Sequence, residues 1–233
     1  MRHTVFLFDI DGTLILTGGA GRKAMESAFR DVYGNKGPPS LKFHFGGMTD
    51  RAIVRTAVRT IEGEPDPDAA TIDAVLDAYV ARLALEVERS DSYRVLPGVT
   101  EVLARLRALD TSRVAIGLGT GNVRRGAYTK LARGALGDAF AFGGFGCDHE
   151  ERAELLRVGA MRGAAALGVP LGECRVVVIG DTPKDVAAAL AIGADCVAVG
   201  TGGFEVAELV GLGATHGFPD LAHDDVHDAL LGG

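Results

Sequence analysis

Val5-Phe6-Leu7-Phe8 runs straight into Asp9-Ile10-Asp11-Gly12-Thr13, so an apolar stretch ends abruptly in two carboxylates and a turn. Four consecutive apolar residues, β-branched and aromatic ones among them, suit a strand covered on both faces, as in a parallel sheet. Asp9 then stands at the carboxyl end of that strand, where open α/β sheets place their ligand crevices. Asp9 and Asp11 are two residues apart, so in an extended chain their side chains point to one side. Gly12 lets the chain turn sharply away. Two carboxylates aimed at one crevice repel each other unless a cation or a proton intervenes. Asp-x-Asp-Gly is also ordinary turn chemistry, and by itself it does not separate the two meanings.

From Pro97-Gly98 onward the pattern alternates. It predicts a helix over 99–109, a strand over 113–118, a helix over 122–132 and a short strand over 139–142. A helix over 151–167, a strand over 175–179, a helix over 183–192 and a strand over 195–199 follow, with a short strand near Ala214 and a last helix from about Asp224. Such alternation implies an α/β, Rossmann-like parallel sheet with helices on both faces. Residues 17–95 read differently, as helix and loop alone. Thr17-Gly18-Gly19-Ala20-Gly21 forms a hinge, and Ala24, Met25, Ala28, Phe29, Val32 and Tyr33 recur at helical spacing up to Gly34. A second helix has Thr49 as N-cap, Ile53, Val54, Ala57, Val58 and Ile61 on one face, and Gly63 and Pro65 at its end. A third covers 67–89. The expected organisation is a core of residues 1–16 and 96–233, with 17–95 inserted after the first strand as a small helical bundle.

Composition excludes several classes. The net charge of −7 comes without any Lys/Arg run, which argues against a nucleic-acid surface. An acidic protein that handles an anion needs a metal or local cations to do it. The cysteines, Cys147, Cys174 and Cys196, are odd in number and widely spaced, so a disulfide framework or structural zinc site is not expected. The apolar run at the N-terminus is shorter than a signal peptide requires, and no stretch reaches transmembrane length. The expectation is a cytoplasmic protein with no membrane partner.

Two further strand ends carry chemistry. Gly117-Leu118-Gly119-Thr120-Gly121-Asn122 leads into a helix, where backbone N–H groups and the Thr120 hydroxyl suit an anion. G-x-G-x-x-G fails because Asn122 stands at the last glycine, while a looser G-x-G-x-G keeps a nucleotide or methyl-donor site open. Val176-Val177-Val178-Ile179 stops at Gly180-Asp181-Thr182-Pro183-Lys184-Asp185, again an apolar run ending in an acid. Pro183 suits a first helical turn, and Asp185 falls where the helix dipole favours negative charge. His223 and His227, four apart on the last helix, suit a solvated face better than a metal site, and Cys147-Asp148-His149-Glu150 a loop.

Asp9-Ile10-Asp11-Gly12-Thr13, Thr120, Arg152 and Gly180-Asp181-Thr182-Pro183-Lys184-Asp185, in that order, resemble the four motifs of the haloacid dehalogenase-like (HAD) hydrolase superfamily. The helical insertion resembles the cap domain of the subgroup that includes phosphoglycolate phosphatase and β-phosphoglucomutase. Arg152 stands where this superfamily more often has Lys. The resemblance implies a Mg²⁺-dependent phosphatase acting on a small phosphorylated metabolite. Asp9 would attack phosphorus to form an aspartyl-phosphate, and Asp11 would act as general acid and then base. Mg²⁺ would be held by the Asp9 and Asp181 carboxylates and the Asp11 carbonyl, with Asp185 behind them. Gly12, Thr120, the Gly121 amide and Arg152 would bind the phosphoryl group. Thr49, Arg51 and Arg22 in the cap are candidates for substrate specificity. The presence of Asp11 favours phosphoester hydrolysis, since true haloacid dehalogenases lack this aspartate. A phosphomutase using the same aspartyl-phosphate, a non-catalytic binding module on the same fold and a methyl-donor enzyme are the alternatives.

Overall fold

The computed structural model describes residues 2–37, 40–61 and 64–232, so the expected helix stop at Gly63 lies outside the described residues. Its centre is β1 (Thr4–Phe8), buried along its whole length. Alternate residues serve opposite faces, as the period of a strand requires. Val5 and Leu7 pack with Leu155, Leu156 and Ala160, whereas Phe6 and Phe8 pack with Val99, Leu103 and Leu118. The sheet has six strands in the order β5-β4-β1-β6-β7-β8, every neighbouring pair parallel. Its other members are β4 (Val114–Thr120), β5 (Phe142–Phe145), β6 (Arg175–Gly180), β7 (Asp195–Val199) and β8 (His216–Phe218).

The helices of this part are α4 (Val99–Arg107), α5 (Arg124–Ala132), α6 (Arg152–Ala166), α7 (Pro183–Ala191), α8 (Val206–Gly211) and α9 (Val226–Leu231). Two departures from expectation have a physical cause. The strand expected over 139–142 is shifted to β5, because Gly143 and Gly144 read as breakers but are demanded by packing. A Cβ on Gly144 would fall 1.8 Å from the Leu155 carbonyl oxygen, so only glycine lets α6 lie this close to the sheet. Helix α8 gives too short an apolar pattern to be read from sequence.

The chain leaves the core through β2 (Ile15–Leu16) and returns through β3 (Arg94–Val95), which pair antiparallel. Between them lie α1 (Ala20–Tyr33), α2 (Asp50–Val58) and α3 (Ala69–Glu88). Their apolar residues, Met25, Phe29, Val54, Val75 and Leu83 among them, form a cluster of their own. Thr49 and Asp68 cap α2 and α3 by accepting from Ala52 N and Thr71 N. No helix among the described residues is long and apolar enough to cross a membrane.

Candidate active site

Sheet register assembles the site. Phe8 is level with Leu118 on one side and Ile179 on the other, so the chain leaving β1 at Asp9 lies between the ends of β4 and β6. Thr120 closes β4, and Asp181 follows β6. Asp9, Asp181 and Asp185 are all buried, and one oxygen from each lies within 4.8 Å of the others. Asp181 Oδ1 accepts from Thr13 Oγ1 at 2.7 Å. Two glycines cradle the same carboxylate: a Cβ on Gly12, at φ +91°, or on Gly202 would fall 2.3 or 1.6 Å from Asp181 Oδ2. Asp185 is held by a capping box at the start of α7, its Oδ2 accepting from Thr182 N at 3.0 Å and Thr182 Oγ1 at 2.7 Å.

Arg152, the first residue of α6, supplies the positive charge. Its Nη2 stands 3.0 Å from Asp9 Oδ1 and 2.5 Å from Asp185 Oδ1. These ion pairs are close but poorly aligned, so Arg152 Nε, Arg152 Nη2 and Asp185 Oδ1 are buried without an aligned hydrogen-bond partner. One guanidinium does not balance three acids. Burial pushes Asp9 up to about 6, Arg152 opposing and Asp185 and Asp11 adding to the rise. Burial raises Asp181 as well, reinforced by Asp185 and Asp9. An oxygen-only donor set short of positive charge fits a hard divalent cation.

The sign of the pH dependence follows. A buried acid whose folded pKa exceeds its unfolded value contributes stability below the unfolded pKa and loses it as the pH rises through the folded value. For Asp9 that window runs from 3.8 to about 6. The metal-free protein is therefore expected to be more stable at about pH 5 than at about pH 8. A divalent cation competes with protons for the same oxygens, so it should stabilise more at the higher pH. Thermal unfolding at both pH values, with Mg²⁺ and with EDTA, checks this, and a metal-free Tm that rises with pH contradicts it.

On the other side of Asp9, Thr120 is fully buried and its Oγ1 accepts from Asn122 Nδ2 at 2.9 Å. Asn122 Nδ2 also donates to Asp11 Oδ2 at 2.9 Å. Helix α5 starts at Arg124, and the anion at its start belongs to the insertion: Asp50 Oδ2 accepts from Val123 N at 2.8 Å. Asp50 N in turn donates to the Gly121 carbonyl at 2.8 Å. A Cβ on Gly121 would fall 2.4 Å from the Met48 carbonyl oxygen, so Gly121 is where the insertion backbone presses onto the core. Thr49 Oγ1 donates to the Glu150 carbonyl at 3.0 Å, and Arg55 pairs with Glu150 at 3.0 Å.

The loop around Met48 thus lies over the aspartates and bounds a partly open cavity of about 170 Å³. Asp9, Asp11 and Arg152 line one part of it, and Met25, Phe45 and Tyr79 another. Arg22 is on the wall, but its guanidinium donates to the carbonyls of Leu41 and Phe43 and lies 3.9 Å over the Phe45 ring. Arg51 pairs with Asp73 at 2.5 Å and does not line the cavity; Thr49 lines only the neighbouring groove. Asp50, Tyr79, Asn122 and Lys130, not assigned to the site from sequence, are brought to the cavity by tertiary packing. Of the Cys147-to-Glu150 run, Asp148 pairs with Arg162 and Glu150 with Arg55, as loop residues.

A family model described as haloacid dehalogenase-like hydrolase matches residues 3–193, most of the chain. The chain belongs to the haloacid dehalogenase-like hydrolases. A second model of HAD-hydrolase-like proteins matches residues 158–229. This hydrolase resembles a predicted phosphatase from Clostridium acetobutylicum at 18% identity, with 99% of each chain covered and a TM-score of 0.69. It also resembles a variant of CbbY from Rhodobacter sphaeroides in complex with xylulose-(1,5)bisphosphate, at 17% identity, 96% of each chain and a TM-score of 0.68. A candidate β-phosphoglucomutase from Bacteroides vulgatus is similar at 19% identity over 100% of this chain and 91% of that one, with a TM-score of 0.66. At these identities the likeness is one of fold. Among curated proteins none matches significantly.

Proposed function

We propose that this hydrolase is a Mg²⁺-dependent phosphatase that cleaves a small phosphorylated metabolite through an aspartyl-phosphate on Asp9. The observation that carries this is the grouping of Asp9, Asp181 and Asp185 beside Arg152, with Asp9, Asp11 and Arg152 lining one cavity. Asp9 and Asp181, with the Asp11 carbonyl, would hold Mg²⁺, a hard ion usually bound by one or two carboxylates plus substrate phosphate. When bound it supplies positive charge that offsets the charge building on the phosphoryl oxygens. An Asp9 carboxylate oxygen forms a bond to phosphorus while the bond to the leaving oxygen breaks, and Asp11 gives that oxygen a proton. Water then attacks phosphorus, Asp11 takes back a proton, and the bond to Asp9 breaks to release inorganic phosphate. Arg152, Thr120 and the Gly121 amide are assigned to the phosphoryl oxygens, with Gly12 keeping the Asp181 side of the site open.

Residues 17–95 act as a cap whose closure excludes bulk water from the phosphoenzyme. The cavity is well below the roughly 300–1,000 Å³ of drug-sized pockets, which supports a small substrate. Arg22 on the cavity wall is the cap residue best placed to choose among substrates. The test is phosphate release from a panel of small phosphate esters with Mg²⁺ and with EDTA. Release that depends on the metal is expected. Folded protein that releases no phosphate while interconverting sugar phosphates would replace this function with the mutase one.

A further inference from the structure

Lys130 is a buried charge that attack by Asp9 does not require. It sits on α5 with its side chain 6% exposed. Its Nζ donates to Asp11 Oδ2 at 2.6 Å and to Asn122 Oδ1 at 2.6 Å. The Tyr79 hydroxyl from α3 and the Asp50 carboxylate from the start of α2 face the same ammonium. Withdrawing an ammonium from water is costly unless all its protons find partners. Here Asp11 Oδ2 and Asn122 Oδ1 accept two of them, and the Tyr79 hydroxyl of the insertion stands beside the ammonium for the third.

We propose that Lys130 is a positioning residue that fixes the rotation of the Asp11 carboxylate for proton transfer. This rests on the assignment of Asp11 as acid and base. Asp11 Oδ2 receives two donors, Lys130 Nζ at 2.6 Å and Asn122 Nδ2 at 2.9 Å. Those donors are themselves joined, Lys130 Nζ to Asn122 Oδ1, so the three side chains close a ring of hydrogen bonds. Oδ2 is thereby committed, which leaves Oδ1 as the free oxygen of a side chain that is 41% exposed and lines the cavity. The proton leaves Oδ1 for the departing oxygen as the P–O bond breaks, and the hydrolytic water returns one to Oδ1. Lys130 keeps its own protons throughout.

The test uses leaving groups. An alkyl phosphate needs a proton on its departing oxygen, whereas acetyl phosphate releases acetate without one. Asp11→Asn sets the reference, with a much larger loss on the alkyl phosphate. Lys130→Met should lower the first-turnover rate of alcohol release from the alkyl phosphate by roughly 10- to 100-fold and of acetate release from acetyl phosphate by less than about 3-fold, with KM nearly unchanged for both. Tyr79→Phe keeps the ring in its apolar cluster and removes only the hydroxyl. It should show the same selectivity at about 3- to 10-fold, and it decides the matter if Lys130→Met does not fold. Equal losses on both substrates, or a raised KM with kcat intact, would overturn the role of Lys130 while leaving Asp11 as the acid. If Asp11→Asn itself shows no selectivity, both assignments fall.

Discussion

Asp9→Asn is expected to abolish phosphate release and, in the same protein, to raise the stability of the metal-free fold. The first effect follows from removing the nucleophile: losses of roughly 10⁴-fold or more are typical when a covalent group of this kind is deleted. The second follows from the electrostatics. Asp9 is buried, and its pKa is pushed up to about 6 by burial against the pull of Arg152. Holding it ionised at neutral pH therefore opposes folding by roughly 3 kcal/mol, at about 1.4 kcal/mol per unit. Asparagine has the same shape without the charge, and Arg152 keeps its second partner, Asp185. A gain of about 1–3 kcal/mol near pH 7.5 is expected, shrinking toward pH 5 as wild-type Asp9 takes up its proton. Urea unfolding in EDTA at the two pH values measures it. A less stable Asn variant would show that the Arg152–Asp9 attraction outweighs the burial and like-charge terms.

The two acids that follow strands β1 and β6 were legible because each ends an apolar run, and two such ends are harder to explain as turn chemistry than one. Register does the rest: once β1 lies between β4 and β6, Asp9, Thr120 and Asp181 must share one edge. Asp185 was legible as a helix-start acid, but not its place within 4.8 Å of Asp9 and Asp181, which depends on how α7 leaves the sheet. Lys130 had no signal. It lies within a helix rich in basic residues, and its partners Tyr79 and Asp50 come from another part of the chain. Asp50, in the first turn of α2, serves the start of α5 by accepting from Val123 N. Contacts across the insertion depend on how two separately packed bodies meet, and one-dimensional periodicity carries no information about that. Arg51 illustrates the converse: its position in the sequence suggested the substrate, and its guanidinium goes to Asp73.

Arg152→Met should be the most damaging single change in the core, the opposite of Asp9→Asn in stability and its equal in sign on activity. Methionine preserves bulk but leaves Asp9, Asp181 and Asp185 with no cation, and removing one partner of a buried pair commonly costs about 3–5 kcal/mol. Phosphate release should fall by roughly 10³-fold, as when a donor to a developing oxyanion is deleted. Mg²⁺ should recover part of the stability, because it supplies charge to the same carboxylates, but not the donors that Arg152 offers to phosphate. Lowering the pH toward 5 should also reduce the stability gap, since Asp9 and Asp181, both raised, then take up protons and need less compensation. Arg152→Lys keeps the charge on a single ammonium that lacks the guanidinium fork. It should therefore restore most of the stability and less of the rate. Unfolding free energies with and without Mg²⁺, read beside phosphate release for both variants, separate the two functions of this residue. A Met variant as stable as the wild type in EDTA would mean that the acids do not need Arg152 for folding, and that it is needed for substrate alone.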